Sequence, residues 1–289
     1  MPAFKSAGLP GKEIVWREIL SEGPAVALLP AFEFWQKRQA YISDTYHENS
    51  EGYQQKVLQE LPKLEAAGTF NEIVLWFDAD LMCQVNLLYL LQHLYQLHPR
   101  QISLCTPAAG ENIGLMAPRA LQLLFEQRQQ LTDIQLKHAQ ALWQLYAGPD
   151  PLKLQEYISE ENTHLPVLRK ALQLHLRRFP SCTTGLGSPE MDLLKLVQQG
   201  ATTENELMQR FWKHYPEYGY GDSQLELMLR HLHPLFVLKE DHITLSEFGE
   251  RVLKGEVSYI TGSQWLGGVL ITANGGYCFN AESHQLENC

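Results

Sequence analysis

The chain has 289 residues, enough for about two domains of ordinary size, and its 45% hydrophobic and 19% charged residues are those of a folded protein rather than a disordered one. With 33 acidic against 23 basic residues the formal net charge is −10. This argues against a nonspecific nucleic-acid or anionic-membrane binder, either of which needs a basic surface.

Five cysteines, Cys83, Cys105, Cys182, Cys278 and Cys289, form an odd, scattered set without CxxC spacing, which predicts free thiols in a reducing cytoplasm rather than a disulfide framework. The opening MPAFKSAGLPGKE lacks the apolar core of a signal peptide. No apolar run approaches the roughly 20 residues of a membrane span. The expectation is a soluble, cytoplasmic protein.

In chain order, Glu13–Trp16, Ile73–Phe77 and Gln101–Cys105 are short runs rich in β-branched or aromatic residues and bounded by turn or polar residues, so each predicts a strand. Helix-length stretches lie between them, over 32–46, 53–66 and 81–97. The last is apolar nearly all round and predicts a buried helix. Strands alternating with helices predict an α/β domain over residues 1–112 with a mainly parallel sheet. From 117 to 180 the period is helical only, giving a helical region over 113–182 packed on the first domain. CTTGLGSP (182–189) reads as a linker. Beyond it, helices over 191–198, 203–215 and 223–232, then short β runs at 236–238 and 243–245, predict a winged-helix-like domain over 183–289. Thr203 and Glu206 have capping-box spacing. The terminal segment WLGGVLITANGGYCFN alternates around Asn274-Gly275-Gly276, a two-strand turn signal that predicts a closing β-hairpin.

Several motifs then stand together: LPGKEIVWREILSEGP (9–24), LWFDADLMCQVNLL (75–88), Arg128 with Thr132, Trp143 followed by Asp150-Pro151, LPVLRKALQLHLRRFPS (165–181), Gly185-Leu186 before Glu190, and WLGG (265–268). In this order they make the chain resemble the bacterial family named domain of unknown function 1835, with its usual C-terminal companion domain. The resemblance covers almost the whole chain. It implies an N-terminal α/β domain and a helical C-terminal domain, and it brings no substrate. Members of that family look as though they begin with a further strand ending in an Asn-Gly-Asp-like turn, whereas this chain starts inside the helix that follows it.

The candidate site is the junction where Ile73–Phe77 meets Asp78 and Asp80, because ligands in open α/β sheets gather at the carboxyl ends of strands. Each Asp also suits the simpler role of helix N-cap. Gln84 lies one turn past Asp80 and could share its ligand, while Asn86 points the other way and reads as structural. Two carboxylates at a helix N-terminus would repel phosphate, and no Gly-rich loop precedes them. They suit a divalent cation, ribose hydroxyls, a cationic ligand or acid–base work. Cys83 sits where a helix dipole lowers a thiol pKa, although buried packing is the commoner role. Glu18 and Glu22 follow the predicted strand at Glu13–Trp16, so Glu18, Glu22, Asp78 and Asp80 form a composite acidic pocket as catalytic candidates. Arg17, within pairing reach of either Glu, and Arg38 join Gln84 as ligand-binding candidates. For Arg38, Arg128 and Arg178 a helix-surface ion pair is the commoner fate. The histidines lack metal-ligand spacing. No cofactor and no metal is named by these patterns.

Two functions of different class follow. One is an enzyme or small-molecule binder holding a polar or nucleotide-like molecule in the acidic pocket, the helical part serving as a lid or as the surface of a homodimer. The other is a regulatory or scaffold protein using the winged-helix-like part. Acidic residues outnumber basic ones there, so a protein partner is favoured over nucleic acid.

Overall fold

A computed structural model describes residues 2–108, 110–160, 164–273 and 275–289. The first half runs α1 (Pro2–Ala7), α2 (Ala31–Tyr46), α3 (Ser50–Lys56), α4 (Leu61–Ala67), β1 (Ile73–Trp76), α5 (Leu81–Gln96), β2 (Ile102–Cys105), α6 (Pro118–Glu126), β3 (Gln129–Gln130), α7 (Asp133–Tyr146), α8 (Pro151–Ser159) and α9 (Pro166–Leu176). The second half runs α10 (Ser188–Gln198), α11 (Glu204–His214), α12 (Asp222–His231), β4 (Phe236–Lys239), β5 (His242–Leu245), α13 (Glu247–Leu253), β6 (Gln264–Leu266), β7 (Val269–Ile271), β8 (Tyr277–Asn280) and β9 (Gln285–Asn288).

Helix α5 is the axis of the molecule. Leu81, Val85, Leu88, Leu91 and Leu94 are fully buried, and Leu87, Tyr89 and Leu90 nearly so, which leaves no polar face for solvent. It packs chiefly against α7 and α9. The buried core is continuous from Leu20 to Leu286 and draws on both halves of the chain. A smaller cluster of Ala7, Ile113 and Leu121 lies between α1 and α6.

The sheet that carries the strand ends has order β1-β2-β3, β1 being parallel to β2 and β3 antiparallel to it. It is therefore mixed, with one pair of each kind, where a mainly parallel sheet is the sequence expectation. Successive strand residues face opposite ways: Leu75 joins the core around α5, while Trp76 turns to the smaller cluster and packs edge-on against Phe4 at 5.0 Å and flat against Phe125 at 6.3 Å.

Glu13–Trp16 forms no strand. Its apolar side chains are half-buried, Trp16 stacking on Tyr89 at 5.7 Å, so the β-like composition reflects packing rather than ladder pairing. The helix expected over 53–66 breaks into α3 and α4, since Pro62 lacks an N–H and restarts the helix.

The terminal strands pair as two separate hairpins, β6 with β7 across Gly267-Gly268, and β8 with β9 across 281–284. The turn expected at 274–276 contributes only an isolated bridge, Thr272 to Gly275, and its Asn274 lies outside the described residues. The expected linker is also drawn into the fold: Ser181 bridges Phe279, Tyr259 N donates to Thr184 O at 2.8 Å, and Leu186 is buried. Among the described residues no helix is long and apolar enough to cross a membrane.

Candidate functional site at the strand ends

Beyond β1 the chain leaves the sheet through Phe77 and Asp78 and enters α5 at Asp80. Asp80 is the N-cap, its Oδ1 accepting from Cys83 N at 2.8 Å. Asp78 Oδ1 accepts from Ile113 N at 2.9 Å, tying the loop after β2 to the end of β1. Ligand atoms of Asp78, Asp80 and Cys83 lie within 4.8 Å of one another. Burial pushes the Asp78 carboxyl up and the charge of Asp80 adds to it, against the Ile113 amide. Burial also pushes Asp80 up, against the Cys83 amide. The Cys83 thiol is raised by burial and then by both carboxylates, so the helix dipole does not activate it. Thr106, one residue past β2 at the same end of the sheet, has a buried Oγ1 with no hydrogen-bond partner among the described residues.

Gln84 is buried, and its Nε2 donates to Asp78 O at 2.8 Å, so it braces the backbone of the site. A second wall comes from the far half of the chain. Gly219, at φ 69°, sits so close that a Cβ there would overlap the Asp80 carboxylate.

Glu18 and Glu22 belong to a different centre. The segment 18–22 is irregular, yet each of its five carbonyls is claimed by a side chain. Asn86 Nδ2 donates to Glu18 O at 2.7 Å, Arg38 Nη2 to Ile19 O at 3.0 Å, Tyr146 OH to Leu20 O at 3.0 Å, Arg178 Nη1 to Ser21 O at 2.8 Å, and Arg38 Nη1 to Glu22 O. Without a ladder or helix, this is how a buried backbone meets its hydrogen-bond requirement. The following Gly23, at φ 71°, lets the chain pass against Tyr41 and Arg38, where a Cβ would overlap both.

The Glu18 carboxylate takes Arg38 Nε at 2.7 Å and Tyr53 OH at 2.8 Å. Burial raises its pKa, but the charge and hydrogen bonds of Arg38 prevail and hold it below the usual carboxylate range. Glu22 Oε1 accepts from Arg178 Nη2 at 2.8 Å, and burial pushes its carboxyl up against the pull of Arg178 and Arg38. Glu190, buried beside this pair with its Oε2 unpartnered, is pushed by burial up to about 7.

Glu18 and Glu22 thus pair with Arg38 and Arg178, and the expected partner Arg17 is exposed and, among the described residues, its side chain bonds Val15 O alone, at 3.4 Å. Arg38 and Arg178 are buried, contrary to the helix-surface expectation, and the Arg38 donors are spent on Glu18, Ile19 and Glu22. Among the described residues no hydrogen bond or ion pair joins Glu18 or Glu22 to Asp78 or Asp80. The two centres meet through neighbouring residues of one loop: Gly219 lies on Asp80, and the Tyr220 ring lies 5.8 Å from the Arg178 guanidinium.

Sequence reasoning missed Tyr53, Tyr146 and Glu190, whose roles depend on partners far along the chain. It also missed a cleft of about 230 Å³ beside the C-terminal half of α5, lined by Phe34, Trp35, Tyr89 and Trp143 with Gln92 and Gln144 at its polar edge. At 1.5 Å per residue, Gln92 lies about 18 Å along the helix from Asp80, so this cleft is separate from the strand-end cluster. No protein-family model matches the chain, and neither a curated protein nor a solved structure matches it.

Proposed function

We propose that the protein is a cytoplasmic binder of, or an enzyme acting on, a small polar or nucleotide-like molecule held at the carboxyl ends of β1 and β2. The observation that carries this reading is the convergence of Asp78, Asp80 and Cys83 within one 4.8 Å cluster beneath Gly219. The unpartnered Thr106 Oγ1 at the same sheet end supports it. Two carboxylates so placed favour a ligand offering hydroxyls, a cationic group or a bound divalent cation. In this reading Asp78 and Asp80 touch the ligand. Gln84 positions the turn. Glu18, Arg38, Glu22 and Arg178 fix the neighbouring segment, and Arg178 also faces the Tyr220 ring of the 218–221 loop. Membership of the domain of unknown function 1835 family remains a proposal carried by the quoted motifs, and it adds no substrate.

A thermal-shift screen of divalent cations and polar metabolites tests the reading, run on the parent chain, Asp78→Asn, Asp80→Asn and the distant exposed control Asp133→Asn. The expected result is a ligand that raises the melting temperature of parent and control and fails on both site variants. A ligand that stabilises all four equally would place binding elsewhere.

A second reading rests on the succession α10, α11, α12 and the β4–β5 hairpin, which has the order of a winged helix, with Val237 and Leu238 exposed on the hairpin. It makes this part a regulatory or scaffold module for a protein partner. A low-salt mobility-shift assay tests its DNA-binding form; retardation that weakens with salt and with Arg230→Ala would support it.

A further inference from the structure

Three of the five cysteines, expected from the sequence to be scattered free thiols, come together. Cys182 lies on the turn after α9, Cys278 on β8, and Cys289 just past β9, and their sulfurs lie within 4.8 Å of one another. The convergence is set by backbone pairing and needs no sulfur bond to hold it. Cys182 N donates to Phe279 O at 3.1 Å, and Phe279 N to Pro180 O at 2.8 Å, which lays the turn along β8. The ladder of β8 with β9 and the bond from Cys289 N to Gly276 O, at 3.2 Å, bring in the third residue. The Cα of Cys278 is 5.1 Å from that of Cys182 and 5.9 Å from that of Cys289. Cys278 thus stands within disulfide reach of two partners, but a sulfur forms only one disulfide, so pairing would always strand the third cysteine.

We propose that Cys182, Cys278 and Cys289 form a three-thiolate site for one soft or borderline metal cation of the zinc class, a function independent of the strand-end site. Metal–sulfur bonds of about 2.3 Å in tetrahedral or trigonal geometry place thiolate sulfurs about 3.8–4.0 Å apart. In the structure the Cys278 sulfur stands at bonding distance from both the Cys182 and the Cys289 sulfur, two bonds that one thiol cannot keep, so in the reduced chain the three sulfurs part by side-chain rotation to admit the cation. Cys278 is buried while Cys182 and Cys289 are exposed, so the cation would have protein on one side and an open fourth position for water or an incoming ligand on the other. Three sulfurs also select for zinc, cadmium, cobalt(II) or copper(I) over magnesium or calcium, which take oxygen ligands. Binding releases the thiol protons and ties β8, β9 and the 181–186 turn into one unit.

The test uses the full chain, reduced and stripped with chelator, and titrated anaerobically with cobalt(II). The expected result is a sulfur-to-metal charge-transfer band saturating at one equivalent and bleached by zinc. Alkylation mapped by mass spectrometry then shows Cys182, Cys278 and Cys289 protected together in the zinc-loaded chain. Cys182→Ser and Cys289→Ser change exposed side chains and should keep the parent circular dichroism, yet each should weaken cobalt binding by more than about tenfold. Absence of the band in the folded, reduced parent would overturn the proposal. So would a band of unchanged affinity in either variant. Three alkylated sites in the zinc-treated chain would show three free thiols and overturn the proposal, whereas a single alkylated site resistant to chelator and opened only by reductant would identify a disulfide with a spare thiol instead.

Discussion

Arg38 and Glu18 form a two-pronged ion pair sealed from solvent: Nε lies 2.7 Å from Oε1 and Nη2 lies 3.1 Å from Oε2, with the guanidinium side chain 0% and the carboxylate side chain 1% exposed. The same guanidinium holds the carbonyls of Ile19 and Glu22, so it organises backbone as well as charge. Arg38→Ala should therefore destabilise the fold by about 3–5 kcal/mol in urea denaturation, because it leaves a buried carboxylate unpaired. Glu18→Gln keeps an acceptor but leaves the buried guanidinium without its counter-charge, and should also cost about 3–5 kcal/mol. Arg38→Lys should not restore the parent, since one ammonium cannot reproduce the planar fork.

Asn86 ties α5 to the same segment, donating to Glu18 O at 2.7 Å and accepting from Leu20 N at 3.3 Å. Asn86→Leu keeps the volume and removes both partners, leaving a buried carbonyl and a buried amide unmet. A loss of about 2–6 kcal/mol is expected at a cost of roughly 1–3 kcal/mol per group, measured by the same denaturation. An unchanged midpoint would mean that the segment is held without Asn86.

Glu190 and His175 should oppose each other in pH dependence. Burial raises Glu190 from 4.5 to about 7, so the folded chain keeps a proton that the unfolded chain releases. Stability from this group is therefore full below about pH 4.5 and is lost as pH rises toward 7, by roughly 3 kcal/mol. Glu190→Gln should gain stability over the parent at pH 8 and not at pH 4. His175 is buried with Nδ1 unpartnered, and burial drives its pKa well below 6.5, with the charge of Arg178 adding to the effect. It must stay neutral in the fold, so its contribution is present above about pH 6.5 and lost on acidification. His175→Phe should relieve that acid loss, and melting curves at pH 5 and 8 separate the two effects.

Gly219→Ala places a methyl group against the Asp80 carboxylate in a left-handed backbone conformation. The conformation alone costs about 1–2 kcal/mol, and the overlap should push the 218–221 loop off the end of α5. The expected outcome is a lower melting temperature together with faster hydrogen exchange at Cys83 N, whose acceptor is Asp80. Exchange at parent rates would show that the loop does not rest on Asp80.

Elements whose pattern is local were legible in the sequence. The unbroken apolar run of α5 announced a buried helix, and Asp80 and Thr203 cap their helices as the spacing indicates. The capping box at Thr203 is altered in one respect: Glu206 reaches back to the amide and hydroxyl of Thr202, at 2.9 Å each. Features that depend on distant partners were not legible. Glu18 and Glu22 find arginines 20 and 156 residues away rather than their neighbour Arg17. Cys182 meets Cys278 across 96 residues. Glu13–Trp16 misled because half-buried irregular chain selects the same aromatic and β-branched residues as a strand. At the strand ends the nearness of Asp78 and Asp80 was readable from their spacing, whereas the covering Gly219 comes from a part of the chain with no local signal.

The five captured carbonyls of residues 18–22 have a mechanical consequence. Their donors come from α2, α5, α7 and the residue Arg178 just past α9, so these elements are riveted through one short strip. Sliding any one of them would shear several buried bonds at once, which makes the floor of the molecule stiff. Gly219 meets Asp80 through contact alone. Loosening at this end of the molecule is therefore expected first at the rim at 218–221, while the riveted strip stays still.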